Sequence, residues 1–231
     1  MEYLPWIVVD IPREADCFFR PAAAHAARGW TRGGECDKMA ATDHFWRQAW
    51  TNFCARALPR WVCRSTRRRW PAFRHITRYA ALLLEKNKVM NLTAIHGETD
   101  VAQLHFLDSA ALLTVEPLAG KAVIDVGTGA GFPGLPLKIA QPDISLTLLD
   151  SLDKRVRFLG DVCAATGLTD VTCLHARAEE APELRGQFDA AVSRAVARLY
   201  LLCELCLPFV RTGGEFLAMK GPDCAEELDE A

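Results

Sequence analysis

The sequence predicts an α/β fold, an open parallel sheet with helices on both faces. Three observations lead there. From about residue 122 onward, apolar runs of strand length alternate with helical patterns. Residues 123–134, Val-Ile-Asp-Val-Gly-Thr-Gly-Ala-Gly-Phe-Pro-Gly, carry one such strand into a glycine-dense turn. The next strand ends on an acid, Asp150. Ligands of such sheets bind beyond the carboxyl ends of the strands, where these polar features fall.

The elements follow in order. Phe73, Ile76, Tyr79, Leu83 and Leu84 recur at helical spacing, and Asn91-Leu-Thr ends that segment in a turn. Thr99 is placed to cap a second helix running to about Val115, with His105 and Asp108 one turn apart on it. Strands are expected at Ala122–Val126, Ser145–Leu149, Val171–Leu174, Asp189–Ser193 and Glu215–Met219. Helices are expected from Pro133, from Asp153 and near Leu199–Phe209.

A chain of 231 residues, half of them apolar, is long enough for one sizeable domain with an appendage. No apolar stretch reaches the roughly 18 to 20 residues that cross a membrane, and the N-terminus lacks the order of a signal peptide. Nine cysteines without regular spacing suggest reduced thiols in a cytoplasm. Cys203 and Cys206 form a C-x-x-C, but no second pair completes a metal site, and their spacing fits one buried helix face. The net charge of -2 hides a division: residues 1–70 carry twelve basic and seven acidic side chains, residues 71–231 fifteen and twenty-two. All six tryptophans lie in the first seventy residues. That arginine and tryptophan mixture suits RNA, with arginines on phosphates and rings on unpaired bases. It equally suits a non-native or disordered leader, the reading preferred here because regular patterning begins abruptly at residue 73.

Two cofactor classes use a strand, glycine turn and downstream acid. Gly129, Gly131 and Gly134 spell the G-x-G-x-x-G of dinucleotide sites. In the other register, Asp125 precedes Gly127, Gly129 and Gly131; an acid there repels a pyrophosphate and suits a ligand with a cationic amino group. S-adenosylmethionine has that ammonium group, a ribose for Asp150 and no phosphate. The second register is favoured, and the first stays open.

Longer segments narrow the choice. Asn87-Lys-Val-Met-Asn-Leu-Thr-Ala-Ile, His105-Phe-Leu-Asp-Ser, Asp125 to Pro136, Leu148-Leu-Asp-Ser-Leu-Asp-Lys-Arg-Val-Arg-Phe-Leu, Ala176-Arg-Ala-Glu-Glu, Val192-Ser-Arg-Ala and Ala218-Met-Lys-Gly stand in one order. Over about residues 79–221 the chain thereby resembles the bacterial small-subunit ribosomal RNA (guanine-N7) methyltransferases, the RsmG or GidB family. The resemblance implies a Rossmann-like class I S-adenosylmethionine-dependent methyltransferase fold behind a helical N-terminal cap. It divides the chain into an atypical segment 1–70, a cap 71–118 and a core 119–231. It also implies a methyl donor bound across Gly127 and Phe132, Asp150 and Ser151 near the ribose, Ala178 and Glu179 beside the adenine, and Arg194 and His105 positioning the reactants. The substrate implied is 16S rRNA, free or in the small subunit, methylated by a cytoplasmic monomer.

The chemistry follows from the residues after the fourth strand. Methylation of an exocyclic amine calls for an Asn/Asp-Pro-Pro-aromatic turn there, and methylation of a cytosine carbon calls for a cysteine. Ser193-Arg194-Ala195 supplies neither. A ring nitrogen such as guanine N7 has a free lone pair and no proton to lose, so positioning suffices and no general base is expected. Lys154, Arg155 and Lys220 are the candidates for RNA phosphates, with Arg157 read as a solvated charge. Against the family's usual sheet, two further strands are expected to be missing after Met219, which would leave the fifth strand of the core as an open edge.

Overall fold

A computed structural model describes residues 6–10, 18–21, 70–194, 197–221 and 225–230. Among the described residues, seven strands form one sheet: β1 (Trp6–Asp10), β2 (Phe18–Pro21), β3 (Ala122–Val126), β4 (Ser145–Asp150), β5 (Val171–His175), β6 (Phe188–Arg194) and β7 (Val210–Met219). Their order is β2-β1-β7-β6-β3-β4-β5. The five strands β3 to β7 pair in parallel, as the alternating pattern predicted. The chain winds outward from β3 through β4 to β5 and then crosses back to β6, so the direction reverses between β3 and β6. A ligand crevice opens at that reversal in sheets of this class.

The edge expected after β7 is not open. β1 pairs with β7 in antiparallel register, Trp6 opposite Met219 through Asp10 opposite Glu215, and β2 pairs antiparallel to β1. Residues from the N-terminal segment thus occupy the two sheet positions thought to be missing. Ile7, Val8 and Val9 are buried, and they alternate as strand residues must. Val8 joins the core on one face of the sheet, Ile7 and Val9 the core on the other. The arginine-rich stretch 44–69 lies outside the described residues.

On the first face pack α1 (Trp70–Met90), a helical run from residue 98 to 114, α4 (Gly134–Ala140) and α5 (Asp153–Thr166). The helical run starts one residue before Thr99, with Gly97 in the cap position and no side-chain cap. It is also not a uniform α-helix. A short α2 (Glu98–Val101) widens into a π-helical stretch, Ala102–Leu107, before α3 (Asp108–Ala111) and a final 3-10 turn. Such widened turns recur at functional sites, and this one carries His105 and Phe106 toward the glycine turn. On the second face, α6 (Leu199–Cys206) carries Cys203 and Cys206 into the apolar core, with Cys206 fully buried. The last helix, α7 (Ala225–Glu230), returns Glu227 to accept the Leu199 N–H at 2.7 Å, which caps the start of α6.

If β1 is part of the cooperative core, Ile7→Ala should destabilise the chain by about 2 to 5 kcal/mol, the usual cost of removing a buried isoleucine side chain. Urea unfolding measures this, and an unchanged midpoint would detach β1 from the sheet.

Candidate active site

The glycine turn follows β3 and folds around the carboxylate of Asp125. That side chain is fully buried; its Oδ2 accepts the Thr128 hydroxyl at 2.7 Å and the Gly134 N–H at 2.8 Å. Asp125 therefore faces inward and holds the turn to the first residue of α4, instead of standing in the crevice wall to meet an ammonium group directly. Burial pushes its carboxyl up from 3.8 to about 7, against the opposing pull of those two hydrogen bonds and Arg194. The same contact bears on the dinucleotide register. A pyrophosphate needs free N–H groups at a helix start, but the Gly134 N–H is already bonded to an acid and the Leu135 N–H to Gly131 O at 2.9 Å.

The glycines divide by task. Gly129 has φ +61°, and a Cβ there would meet only the Gly127 carbonyl, at 4.0 Å. The space before it is open, a cradle that a ligand can fill. Gly131, also at positive φ, faces the other way: a Cβ would stand 2.5 Å from the Tyr79 hydroxyl and 2.6 Å from Leu135 Cδ1. Expected in the ligand wall, Gly131 is instead the place where α1 meets the turn. Tyr79 closes that meeting by donating its hydroxyl to Ala130 O.

Asp150 ends β4 beside the cradle. Its Oδ2 accepts the Gly129 N–H at 2.9 Å, its Oδ1 accepts the Leu152 N–H at 2.9 Å, and Arg155 reaches Oδ2 at 3.5 Å. A carboxylate has about four lone-pair sites, so these three donors leave room for a ribose hydroxyl. Ser151 follows on the surface, and its carbonyl accepts the His175 Nε2–H at 3.1 Å. Beyond β5 the Ala176 N–H bonds to Asp150 O at 3.3 Å, which brings Ala178 and Glu179, on the 3-10 turn Ala178–Glu180, alongside. Ala178 is half-buried and Glu179 exposed. A cradle with open space, a buried acid with one acceptor to spare and an apolar side chain beyond fit the nucleoside half of S-adenosylmethionine.

Phe132 forms the other wall. Its ring stacks on His105 at 4.4 Å and on Tyr79 at 5.4 Å, meets Phe106 edge-on at 5.4 Å, and lies 4.8 Å from the Arg194 guanidinium carbon. Arg194 ends β6, where the Ser193 hydroxyl donates to Val126 O at 2.9 Å and ties the two strands on either side of the crevice. The guanidinium donates to Leu104 O at 3.3 Å and to His105 Nδ1 at 2.9 Å. With Nδ1 an acceptor, the ring proton sits on Nε2, which donates to Thr93 Oγ1 at 2.7 Å. Burial, then the neighbouring Arg194 charge, push His105 down to about 3, so the imidazole stays neutral. Asp108, buried below it, is pushed up to about 7 by burial, with Arg194 opposing.

The basic residues separate. Lys154 is exposed at the start of α5. Arg155 is engaged with Asp150, and Arg157 pairs with Asp153 at 2.7 Å. Lys220, expected at the cleft mouth, is interior: its ammonium donates to Ala197 O at 2.6 Å and pairs with Glu227 at 2.8 Å. It belongs to the packing of α7, not to an RNA surface. Reading the sequence alone missed Tyr79, Thr93 and Asn87. The helical period marked Tyr79 only as core, and the turn signal at Asn91-Leu-Thr marked Thr93 only as loop. Among the described residues, no group of three His, Cys, Asp or Glu side chains is arranged for a metal ion.

Residues 72–231 match the family model described as rRNA small subunit methyltransferase G. The chain is 54% identical over 160 residues to the ribosomal RNA small subunit methyltransferase G of Alkaliphilus oremlandii, covering 68% of this chain and 67% of that protein. It is 48% identical over 158 residues to the protein of the same name from Clostridium kluyveri, covering 67% of each. A solved structure of a putative S-adenosyl-L-methionine-dependent methyltransferase from Methanococcus maripaludis is 18% identical, with a TM-score of 0.48 over 65% of this chain and 66% of that one. β1 and β2 precede the matched stretch.

Asp125 supplies a pH test of the inward clamp. Its proton is held more tightly in the folded chain than in the unfolded one, so its contribution to stability falls as pH rises from about 4 to about 7. Asp125→Asn keeps an oxygen for Thr128 and Gly134 but does not ionise. Urea unfolding at about pH 5 and about pH 8 should show the variant losing less stability over that interval than the parent chain. Equal losses would place the carboxylate in contact with solvent.

Proposed function

The chain belongs to the rRNA small subunit methyltransferase G family, and from that premise we propose that it methylates N7 of a guanine in 16S rRNA. The observation that carries this is the crevice between β3 and β6, which has a nucleoside cradle on one side and a neutral histidine and an arginine on the other. S-adenosylmethionine supplies an electrophilic methyl group on a sulfonium. Gly127 and Gly129 present backbone to the donor, Asp150 with Ser151 takes its ribose, Ala178 and Glu179 flank its adenine, and Phe132 closes the wall toward the acceptor base. Arg194, fixed at the strand end, orients that base through its remaining N–H groups; guanine O6, next to N7, is a matching acceptor.

The residues do no proton chemistry in this scheme. Both nitrogens of His105 are engaged and its pKa of about 3 leaves it a weak base, while Asp108 and Asp125 are interior. Attack by the N7 lone pair releases no proton, so orientation alone is required of the protein. Residues 71–118 act as the cap over a core of residues 119–231. Lys154, exposed at the start of α5, is the residue proposed to meet an RNA phosphate. The substrate places the work in the cytoplasm, and one chain carries the whole site, so a monomer suffices. No described helix is long and apolar enough to cross a membrane.

Incubation with S-adenosylmethionine and unmethylated small subunits or their RNA should yield 7-methylguanosine on nucleoside analysis of the 16S rRNA. A methyl group on another nucleoside, or none, would contradict the reading. Lys154→Glu should weaken RNA affinity and lower its dependence on salt while leaving S-adenosylhomocysteine binding intact; RNA binding equal to the parent's would remove Lys154 from the interface.

A further inference from the structure

Thr93 is far from the cradle in sequence and on no helix or strand, yet it is held as firmly as any residue of the site. Its backbone N–H donates to Asn87 Oδ1 at 2.9 Å, and its carbonyl accepts the Asn87 Nδ2 amide at 2.9 Å. Asn87 itself is buried, on the last turn of α1. The paired amide clamps the loop to the helix through both backbone polar groups of one residue. What it presents is the Thr93 hydroxyl, which accepts the Ile95 N–H at 3.1 Å and stands 2.7 Å from His105 Nε2.

The direction of each hydrogen bond follows from the far end. An arginine N–H can only donate, so His105 Nδ1 must accept, and the proton must lie on Nε2. Nε2–H then needs an acceptor, and Thr93 Oγ1 is that acceptor. The ring has an alternative: turned over about Cβ–Cγ, it would put carbon Cδ2 at Arg194 and carbon Cε1 at Thr93, and leave the guanidinium without its bond. The stack on Phe132 does not forbid this, because a ring stacks equally well either way up. Only the polar contacts at the two ring nitrogens tell the orientations apart.

We propose that Thr93 is a positioning residue for the methyl-transfer reaction, fixing His105 in one tautomer and orientation and thereby fixing Arg194 against the acceptor base. This rests on the reading of the site given above. The relay runs from the amide of Asn87 through Thr93 and His105 to Arg194, so the end of α1 sets the aim of a side chain on β6 without touching it. Arg194 has no comparable second support: its other described hydrogen bond, to Leu104 O, is longer at 3.3 Å. A hydroxyl is required at position 93, and its methyl group is not. Serine keeps the relay, whereas valine keeps the shape and loses it.

The test compares the full chain with Thr93→Val and Thr93→Ser. Two-bond proton–nitrogen spectra of histidine-labelled protein should show His105 protonated at Nε2, with a hydrogen-bonded Nε2–H, in the parent and in Thr93→Ser; Thr93→Val should lose that signal. With saturating methyl donor, Thr93→Val should lower kcat on the order of 10- to 100-fold, the scale of a small misplacement of a reacting group, with S-adenosylhomocysteine affinity preserved. Thr93→Ser should recover most of that turnover. Parental kcat in Thr93→Val, or a Thr93→Ser variant as impaired as Thr93→Val, would overturn the proposal. A parent chain that binds RNA and cofactor but transfers no methyl group would overturn the reading of the reaction instead; the tautomer spectra alone would then decide whether the relay exists.

Discussion

Four side chains close on the ring of Phe132, and they come from three separate parts of the chain: Tyr79 from α1, His105 and Phe106 from the π-helical stretch, Arg194 from the end of β6. Each aromatic contact is worth about 0.5 to 1.5 kcal/mol beyond the area it buries, so no single one fixes the cap. Together they give the helices of residues 71–118 one place on the glycine turn. The walls proposed for donor and acceptor thus share one ring. A change in how the cap sits must be felt at the cradle, and the cap cannot dock correctly on a turn that is out of shape.

The turn keeps its shape because Asp125 is inside it. An acid at the end of a buried strand is costly unless its oxygens find donors. Here one oxygen finds the Thr128 hydroxyl and the Gly134 N–H, while the other, Oδ1, has no partner among the described residues. Burial lifts its pKa toward neutrality, and the two hydrogen bonds and Arg194 only partly oppose it. In return, the chain is drawn round tightly enough to point Gly129 outward and Gly131 inward. The outward glycine makes the ligand cradle and the inward one makes the seat for Tyr79. Asp150 completes the arrangement from β4 by accepting the Gly129 N–H, so the acid proposed to meet the ribose also steadies the cradle.

What could be read from the sequence was what is local. Strand, glycine turn and acid lie within about thirty residues, and their order alone carries their geometry. Arg194 was legible because a charged residue at the end of an apolar strand must lie at the sheet's ligand edge. The relay was not legible, because His105 and Arg194 are 89 residues apart and Tyr79 is 51 residues from the carbonyl it reaches; no local period encodes such meetings. Lys220 was misread for a related reason. Its residue type suggests a surface charge, and only the return of α7 with Glu227 reveals a buried pair. β1 was the largest surprise. Ile7-Val8-Val9 is a short apolar run in an arginine and tryptophan context, and its strand partner lies at the other end of the chain.

The crevice takes a sulfonium nucleoside and not a dinucleotide. Isothermal titration of the folded chain with S-adenosylhomocysteine, set beside the same titration with NADH, tests it most directly. The account predicts saturable binding of S-adenosylhomocysteine in the micromolar range and no heat from NADH. Binding of NADH in its place, or a folded chain that binds neither, would contradict it.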